Sequence, residues 1–364
     1  MTIPLKNNPK VSIVIPLKEI NQNLKECIDS CLKLDYPNFD IIVLPDKNSK
    51  DFKSSSEKIK VIETGNLTPP KKRDFALDKT DADILAFIDD DAYPVKDWLN
   101  NALVHFKDGE VAAVCGPAVT PASDSLRQKA SGEVYESFLV SGMHALRYKS
   151  QKITLVKDYP SCNFLIRRSI FADLGGFNTN FWPGEDTFLC AAITRKLNKK
   201  IIYDPGVLVY HHRRPLYIPH LKQVVSYALH RGYFVKRGLN PTFEITYFFP
   251  SFLLVGLIFG FVLALFSHQL KIAYLALVAV YLLLVLIFSI SKDLRLIRST
   301  APKALSSGDG NRRRSVSTLS KPQPLGWGAS NGLILLKFLG IIMTHIAYGF
   351  FFLKGLFQTK LKEE

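Results

Sequence analysis

The 364 residues include only five cysteines, Cys27, Cys31, Cys115, Cys162 and Cys190, and none forms a C-x-x-C pair or a cysteine–histidine zinc pattern. A disulfide framework and a structural zinc module are therefore excluded, and thiols scattered in this way suit buried, reduced positions. There is no G-x-x-x-x-G-K-[ST] stretch either, so a Walker-type phosphate cradle is absent from the sequence. The opening "MTIPLKNNPKVSIVIP" lacks the charged and apolar regions of a signal peptide, and the N-terminal part is expected to stay in the cytoplasm. The formal net charge is +15, with no nucleic-acid-binding motif beside it. Basic residues gather near long apolar runs, which directs the charge toward an anionic membrane surface or a phosphorylated ligand and away from nucleic acid.

Two regions differ sharply in composition. Residues 1–240 read as a soluble domain, and residues 241–364 hold most of the long apolar runs. "FFPSFLLVGLIFGFVLALFS" (248–267) and "IAYLALVAVYLLLVLIFSI" (272–290) are uncharged and long enough to span a hydrocarbon core of about 30 Å. Only a short polar turn divides them, which predicts a tight helical hairpin. A third candidate span, "GLILLKFLGIIMTHIAYGFFFL" (332–353), contains Lys337 and His345; an interfacial or re-entrant arrangement is the alternative there. Between the second and third, residues 291–331 carry eight Lys or Arg against two Asp, which makes that loop cytoplasmic by the positive-inside rule. Its "RRRS" (312–315) reads as a lipid-attracted loop. The expected location is the inner membrane, with the N-terminal domain on the cytoplasmic side.

In the N-terminal region the apolar period switches repeatedly between strand and helix. "VSIVIP" reads as a strand. "LKECIDSCLKL" then places Leu24, Cys27, Ile28, Cys31 and Leu32 on one helical stripe, where the two cysteines are packing residues rather than a metal pair. "FDIIVLPD" is a strand ending at Asp46, "KIKVIE" another, "KKRDFALDK" a short helix and "ADILAFI" the next strand. Such alternation predicts a parallel α/β sheet, with the continuous apolar run at 84–88 as a strand covered on both faces.

That last strand runs straight into Asp89, Asp90 and Asp91. Like charges this close repel, and each costs free energy if it leaves water unpaired. In open α/β sheets ligands bind beyond the carboxyl ends of the strands, where both Asp46 and this cluster would lie. A hard divalent cation, Mg²⁺ or Mn²⁺, would relieve the repulsion; the alternative is a solvated acidic turn. Glu185 and Asp186 follow Pro183 and Gly184 in the first turn of a helix. There they either complement the helix dipole or present a general base at a cleft. "YDPGVLVYHHRRP" gives a strand ending in His211, His212, Arg213 and Arg214. Imidazole can ligate a metal and guanidinium can grip a diphosphate, but neighbouring residues on a strand face opposite ways, so one histidine alone can face a given cleft. The following stretch, "LKQVVSYALHRGYFVKR", reads as a basic, aromatic helix that lies on lipid or covers the cleft.

Taken in order, "VSIVIP", "IIVLPD", "KKRDFAL", "AFIDDDAYPVKDWL", "GPAVTP", "CNFLIRR", "GGF" with "GEDT", and "HHRR" resemble the motifs of membrane-anchored, inverting glycosyltransferases of family 2, over residues 11 to about 236. The resemblance implies a GT-A fold, a Rossmann-like α/β domain for nucleotide-diphospho-sugars, followed by C-terminal transmembrane helices. It implies a hexosyltransferase-type enzyme of the branch that builds exopolysaccharide or lipid-linked glycans, with a nucleotide-sugar donor and a lipid-linked or glycan acceptor. By the same resemblance Pro16, Glu19 and Asp46 contact the base and ribose, and Arg73 approaches the donor. Asp89 and Asp91 form the D-x-D pair at ribose and metal, and Asp90 turns toward the sugar. Asp186 is the catalytic base with Glu185 beside it. His211 or His212 completes the metal shell, and Arg213 holds the departing diphosphate.

The chain departs from the family in two places. Leu17 and Lys18 in "PLKE" stand where the family commonly has a small or aromatic residue and then Asn, which affects base recognition. The Q-x-x-R-W motif of processive synthases is missing, which favours transfer of one sugar per encounter. Two other readings are weighed against this one: a non-catalytic membrane scaffold of a glycan synthesis or export complex, and a membrane-associated nucleotidyltransferase. The intact acidic motifs argue against the first, and the missing glycine-rich phosphate loop argues against the second.

Overall fold

The computed structural model describes residues 7–47, 56–238, 243–300 and 327–363, with the side chains of 291–300 and 327–330 left aside. The segment "RRRS" lies outside the described residues.

β1 (Val11–Pro16), α1 (Gln22–Cys31), β2 (Phe39–Leu44), β3 (Ile59–Val61), α2 (Pro69–Ala76) and β4 (Ile84–Ile88) form a unit in which all four strands run parallel. After β4 come β5 (Ala92–Pro94), α3 (Trp98–Leu103), β6 (Val111–Cys115), β7 (Ala118–Val119), α4 (Leu126–Glu136), α5 (Phe138–Ser141) and β8 (Thr154–Leu155). The soluble part ends with β9 (Asn163–Arg167), α6 (Arg168–Asp173), α7 (Glu185–Ala191), β10 (Lys200–Tyr203), β11 (Val209–His211) and α8 (Ile218–Lys236). Three apolar helices follow: α9 (Phe249–Ala264), α10 (His268–Thr300) and α11 (Trp327–Phe357).

The main sheet has the order β3-β2-β1-β4-β9-β6-β10-β8. It is mixed, which corrects the expectation of a parallel sheet. β9 runs antiparallel to both β4 and β6, and β8 runs antiparallel to β10. The apolar run at 84–88 is nonetheless an interior strand, as its composition required. Successive residues alternate between two cores: Ile84, Ala86 and Ile88 pack with α1 and α3, while Leu85 and Phe87 pack with Phe171, Phe177 and Leu189 on the other face.

Reversing β9 brings its first residue, Asn163, opposite Ile88, the last residue of β4. Asn163 is fully buried and hydrogen-bonded on every side. Its Oδ1 accepts from Trp98 Nε1 at 2.9 Å, and its Nδ2 donates to the carbonyls of Gly116 at 2.7 Å and Val207 at 2.8 Å. A second, three-stranded sheet, β5-β11-β7, pairs His211 with Ala92 and so delivers His211 beside Asp91. The sheet edge where β1, β2 and β4 end is thus built from both sheets.

Asn163→Ala takes the acceptor from the Trp98 indole N–H, a donor from the Val207 carbonyl and one of two donors from the Gly116 carbonyl, so it should destabilise the fold by about 3 kcal/mol. A lowered midpoint in denaturant unfolding of the detergent-solubilised chain would register this; an unchanged midpoint would contradict it.

Candidate active site at the strand ends

The three consecutive aspartates leave β4 toward three different partners. Asp89 accepts from Arg73 Nη2 at 2.6 Å. Asp90 turns to α1, where Asn21, the residue capping that helix, donates to it at 2.7 Å. Asp91 Oδ1 lies 2.9 Å from His211 Nε2. Asp89, Asp91 and His211 each offer a ligand atom, all within 4.8 Å of one another, and among the described residues this is the one such group. The two carboxylates suit a hard divalent cation such as Mg²⁺ or Mn²⁺, and His211 adds a nitrogen donor beside them.

The environment separates the three acids electrostatically. Burial pushes Asp90 up to about 6, opposed by the Asn21 hydrogen bond. Burial also works to raise Asp91, but the charges of His211 and Arg213 and the His211 hydrogen bond outweigh it and hold the carboxyl below its usual range.

The two histidines divide as strand parity requires. His212 faces away from this group, its imidazole held between Asp124 and Glu26, with Nε2 3.0 Å from Glu26. Of the two histidines, His211 is the one that stands within ligand distance of Asp91. Arg213 is buried and engaged within the protein: Nη1 meets His211 Nδ1 at 3.0 Å, Nη2 donates to the Ala118 carbonyl, and the guanidinium lies 5.0 Å from the Tyr148 ring centroid. The structure thus gives Arg213 a role in orienting His211.

The second acidic pair comes from α7. Its residue before the helix, Gly184, has φ +124, and Glu185 and Asp186 begin the first turn. Asp186 is half-buried, and its Oδ1 accepts from the Ser161 amide at 3.1 Å, an amide that the reversed β9 brings to this edge. Glu185 is 4% exposed, and its Oε2 has no hydrogen-bond partner among the described residues. Desolvation here outweighs the helix dipole. Burial raises Asp186 to about 6 while the Arg73 charge pulls the other way. Burial raises Glu185 well above the carboxylate range, and its negative neighbour Asp186 adds to the push. Glu185 therefore faces inward, where burial favours its protonated form.

Pro16 ends β1 and is buried, Glu19 has an exposed side chain, and Asp46 lies beyond β2. Several residues that organise this edge carried no sequence signal of their own. Lys72 is 2% exposed and donates to the carbonyls of Leu17 and Leu44 and to Asp46, so it ties the ends of β1 and β2 together. Leu17, the residue at a family-atypical position, thereby contributes its carbonyl to a lysine clamp. Asp158 accepts from Arg147 at 2.8 Å and from Thr187 Oγ1 at 3.1 Å, bracing the turn that carries Asp186. On α8, Tyr227 lies in the field of Asp186 and Glu185, and Gln223 Nε2 donates to its hydroxyl at 3.1 Å. The aromatic helix thus walls the cleft on one face.

Residues 12–175 match the family model described as glycosyl transferase family 2. The chain carries a family 2 glycosyl transferase domain. Its mixed α/β sheet accords with the GT-A architecture expected for that domain. A pre-mycofactocin glycosyltransferase of Mycobacterium tuberculosis is 28% identical over 210 residues, 56% of this chain and 43% of that protein. The chain thus spans less than half the length of that relative. A Methanococcus voltae transferase is 22% identical over 275 residues, covering 71% of this chain and 80% of its own; its name describes transfer of a diacetamido-dideoxy-glucuronosyl unit to dolichyl N-acetylglucosaminyl phosphate. Among solved structures, the mannosyltransferase PcManGT of Pyrobaculum calidifontis aligns over 68% of this chain and 69% of its own, at 18% identity and a TM-score of 0.47.

A Cβ added at Gly184 would lie 2.4 Å from the Phe234 ring of α8, on a backbone that side chains rarely adopt. Gly184→Ala should therefore cost about 1–3 kcal/mol, read as a lower thermal midpoint. An Ala variant as stable as the parent would show that the turn tolerates a side chain.

Proposed function

We propose that the chain is a metal-dependent, inverting glycosyltransferase that moves one sugar from a nucleotide-sugar to a hydroxyl of a lipid-linked acceptor at a membrane. The observation that carries this reading is the convergence, at one sheet edge, of the Asp89–Asp91–His211 group with the Glu185–Asp186 pair, with Arg73 between them. The family 2 domain supports the reaction class. The archaeal relatives named for dolichyl-phosphate-linked acceptors, together with three helices long and apolar enough to cross a membrane, support the lipid-linked acceptor.

In this reading Asp89, Asp91 and His211 would hold Mg²⁺ or Mn²⁺. When bound, such a cation neutralises charge that develops on the leaving diphosphate. Pro16, Glu19 and Asp46 line the end of β1 and β2 where the base and ribose would lie, and the Lys72 clamp fixes those ends. Arg73 holds Asp89 and keeps a positive charge near the transferred sugar. Asp186 takes the proton of the acceptor hydroxyl as its oxygen attacks the anomeric carbon. The bond from that carbon to the diphosphate breaks as the new glycosidic bond forms, so a single displacement inverts the centre without a covalent sugar–enzyme step. Burial pushes the Glu185 carboxyl up further than that of Asp186, which favours Asp186 as the charged member of the pair. Arg213 acts through His211, whose ring it orients.

Membranes containing the chain, incubated with a panel of nucleotide-sugars, a lipid extract and Mg²⁺ or Mn²⁺, should release nucleoside diphosphate from one donor only, and only with the cation. Asp186→Asn should lower that rate by about 10²–10⁴-fold, the contribution of a general base. Asp91→Ala should raise the cation concentration required. Pyrophosphate as product would point to nucleotidyl transfer, and undiminished activity of both variants would sink the assignment.

The pH profile provides a separate check. Because Asp186 must be ionised to accept a proton and burial raises it to about 6, activity should be flat above that value and fall about tenfold per unit below it. A profile flat down to pH 4.5 would exclude Asp186 as the base.

A further inference from the structure

α11 passes every test of length and composition for a membrane span, yet it is not packed like one. Of its most apolar stretch 39% is buried within the protein, against 11% for each of the helices α9 and α10. The burial forms one stripe. Leu333 packs with Ala130 and Val134 of α4. Lys337 Nζ lies 3.6 Å from Glu133 of α4. Gly340 abuts Val134 and Leu216. Thr344 Oγ1 lies 3.0 Å from His220 of α8, and His345 Nε2 lies 2.9 Å from the Leu139 carbonyl of α5. Phe352 joins Ala228 of α8 in one cluster. Gly232 and Gly355 have no room for side chains, because a Cβ on either would strike backbone of the other helix at 2.1 or 2.2 Å.

The spacing of 333, 337, 340, 344, 352 and 355 traces a single helical face along nearly the whole of α11. The tail continues the attachment: Leu361 packs with Tyr233 and Phe234, Lys236 donates to the Gln358 carbonyl at 3.1 Å, and Arg237 donates to that of Thr359 at 3.3 Å. A helix of 31 residues is about 46 Å long. If α11 crossed the bilayer, α4 and α8 would enter it alongside, taking the exposed charges of Arg127, Lys222 and Lys236 into hydrocarbon.

The opposite face is apolar and open. Leu335, Leu339, Met343, Ile346, Phe350 and Phe357 form its stripe, from 37% to 81% exposed. It is continuous with a groove of about 430 Å³ against α10, lined by Leu282, Leu286, Ile334 and Phe338 among others. α9 and α10 carry exposed apolar side chains around much of their length, whereas α11 has one face on protein and one face for something apolar. We propose that α11 lies in the plane of the membrane, its outward stripe in the leaflet next to the catalytic domain, and that α9 and α10 alone cross. The C-terminal end of α11 is then on the same side as the N-terminal domain. The loop between α9 and α10 is on the other.

The test uses the full chain, tagged at both termini, in sealed membrane vesicles of defined orientation treated with protease. Both tags should be digested in the same vesicle preparation and protected in the inverted one. Digestion of the two tags in opposite preparations would overturn the proposal. A pair of substitutions checks the depth of α11 independently. Ile346→Lys should leave the membrane-inserted yield within about twofold of the parent, because a lysine on an in-plane helix reaches the headgroups. Leu277→Lys, on the exposed face of α10, should reduce it several-fold. An Ile346→Lys loss equal to that of Leu277→Lys would place α11 across the bilayer.

Discussion

Three carboxylates cannot share one strand end in a protein interior unless each has its own counterpart, and much of this molecule is arranged around that constraint. Asp89, Asp90 and Asp91 are met by Arg73 from α2, Asn21 from the start of α1 and His211 from β11. These partners come from three separate elements, so the acids hold together the first helical layer and the second sheet. Arg73 is used twice. It donates to Asp89, and its charge also opposes the rise in the carboxyls of Asp186 and Glu185. Two acidic groups that would otherwise destabilise each other are coupled through one guanidinium.

The reversed strand β9 has a similar organising effect. In a parallel sheet its first residues would lie at the far edge from the carboxyl ends of the other strands. Running antiparallel, it instead places Asn163 and the Ser161 amide where β4 ends. Asn163 fastens the loops after β6 and before β11, and Ser161 orients the Asp186 carboxylate. The Arg147–Asp158–Thr187 chain then fixes the adjacent residue of α7. Placement of the acidic pair is therefore a property of strand direction, not of the short helix that carries it.

What the sequence made legible followed from local chemistry. A run of apolar residues ending in acids identified an interior strand and the end at which the carboxylates gather. The parity of His211 and His212 established that only one could face the cleft, although which one depended on the pairing of β11 with β5. Strand direction was not legible in the same way, since "CNFLIRR" is equally apolar in either orientation and its neighbours decide. Nor were the buried Lys72 and Asp158 or the half-buried Arg147, because a charged residue reads as solvent-exposed until its partners are known. Nor does the position of Glu185 and Asp186 at a helix start reveal that burial pushes both carboxyls up, because a dipole favours charge only where water or counter-charges also reach it.

The same distinction between composition and partners applies to α8 and α11. Hydropathy measures what a segment contains, whereas packing depends on what each face meets. α8 meets the cleft through Gln223 and Tyr227 on one side and α11 through Ala228 and Gly232 on the other. Packed helices lie about 8–10 Å apart, and the lack of room for a Cβ at Gly232 or Gly355 shows how closely these two approach. If α11 rests on the leaflet, a single helical layer separates the acidic pair from the membrane. On the function proposed above, an acceptor hydroxyl held on a lipid would then need to rise only by the thickness of that layer to reach Asp186. The glycines that exclude side chains from the α8–α11 contact would thereby set the height of the cleft above the bilayer, a geometric quantity on which positioning for transfer depends.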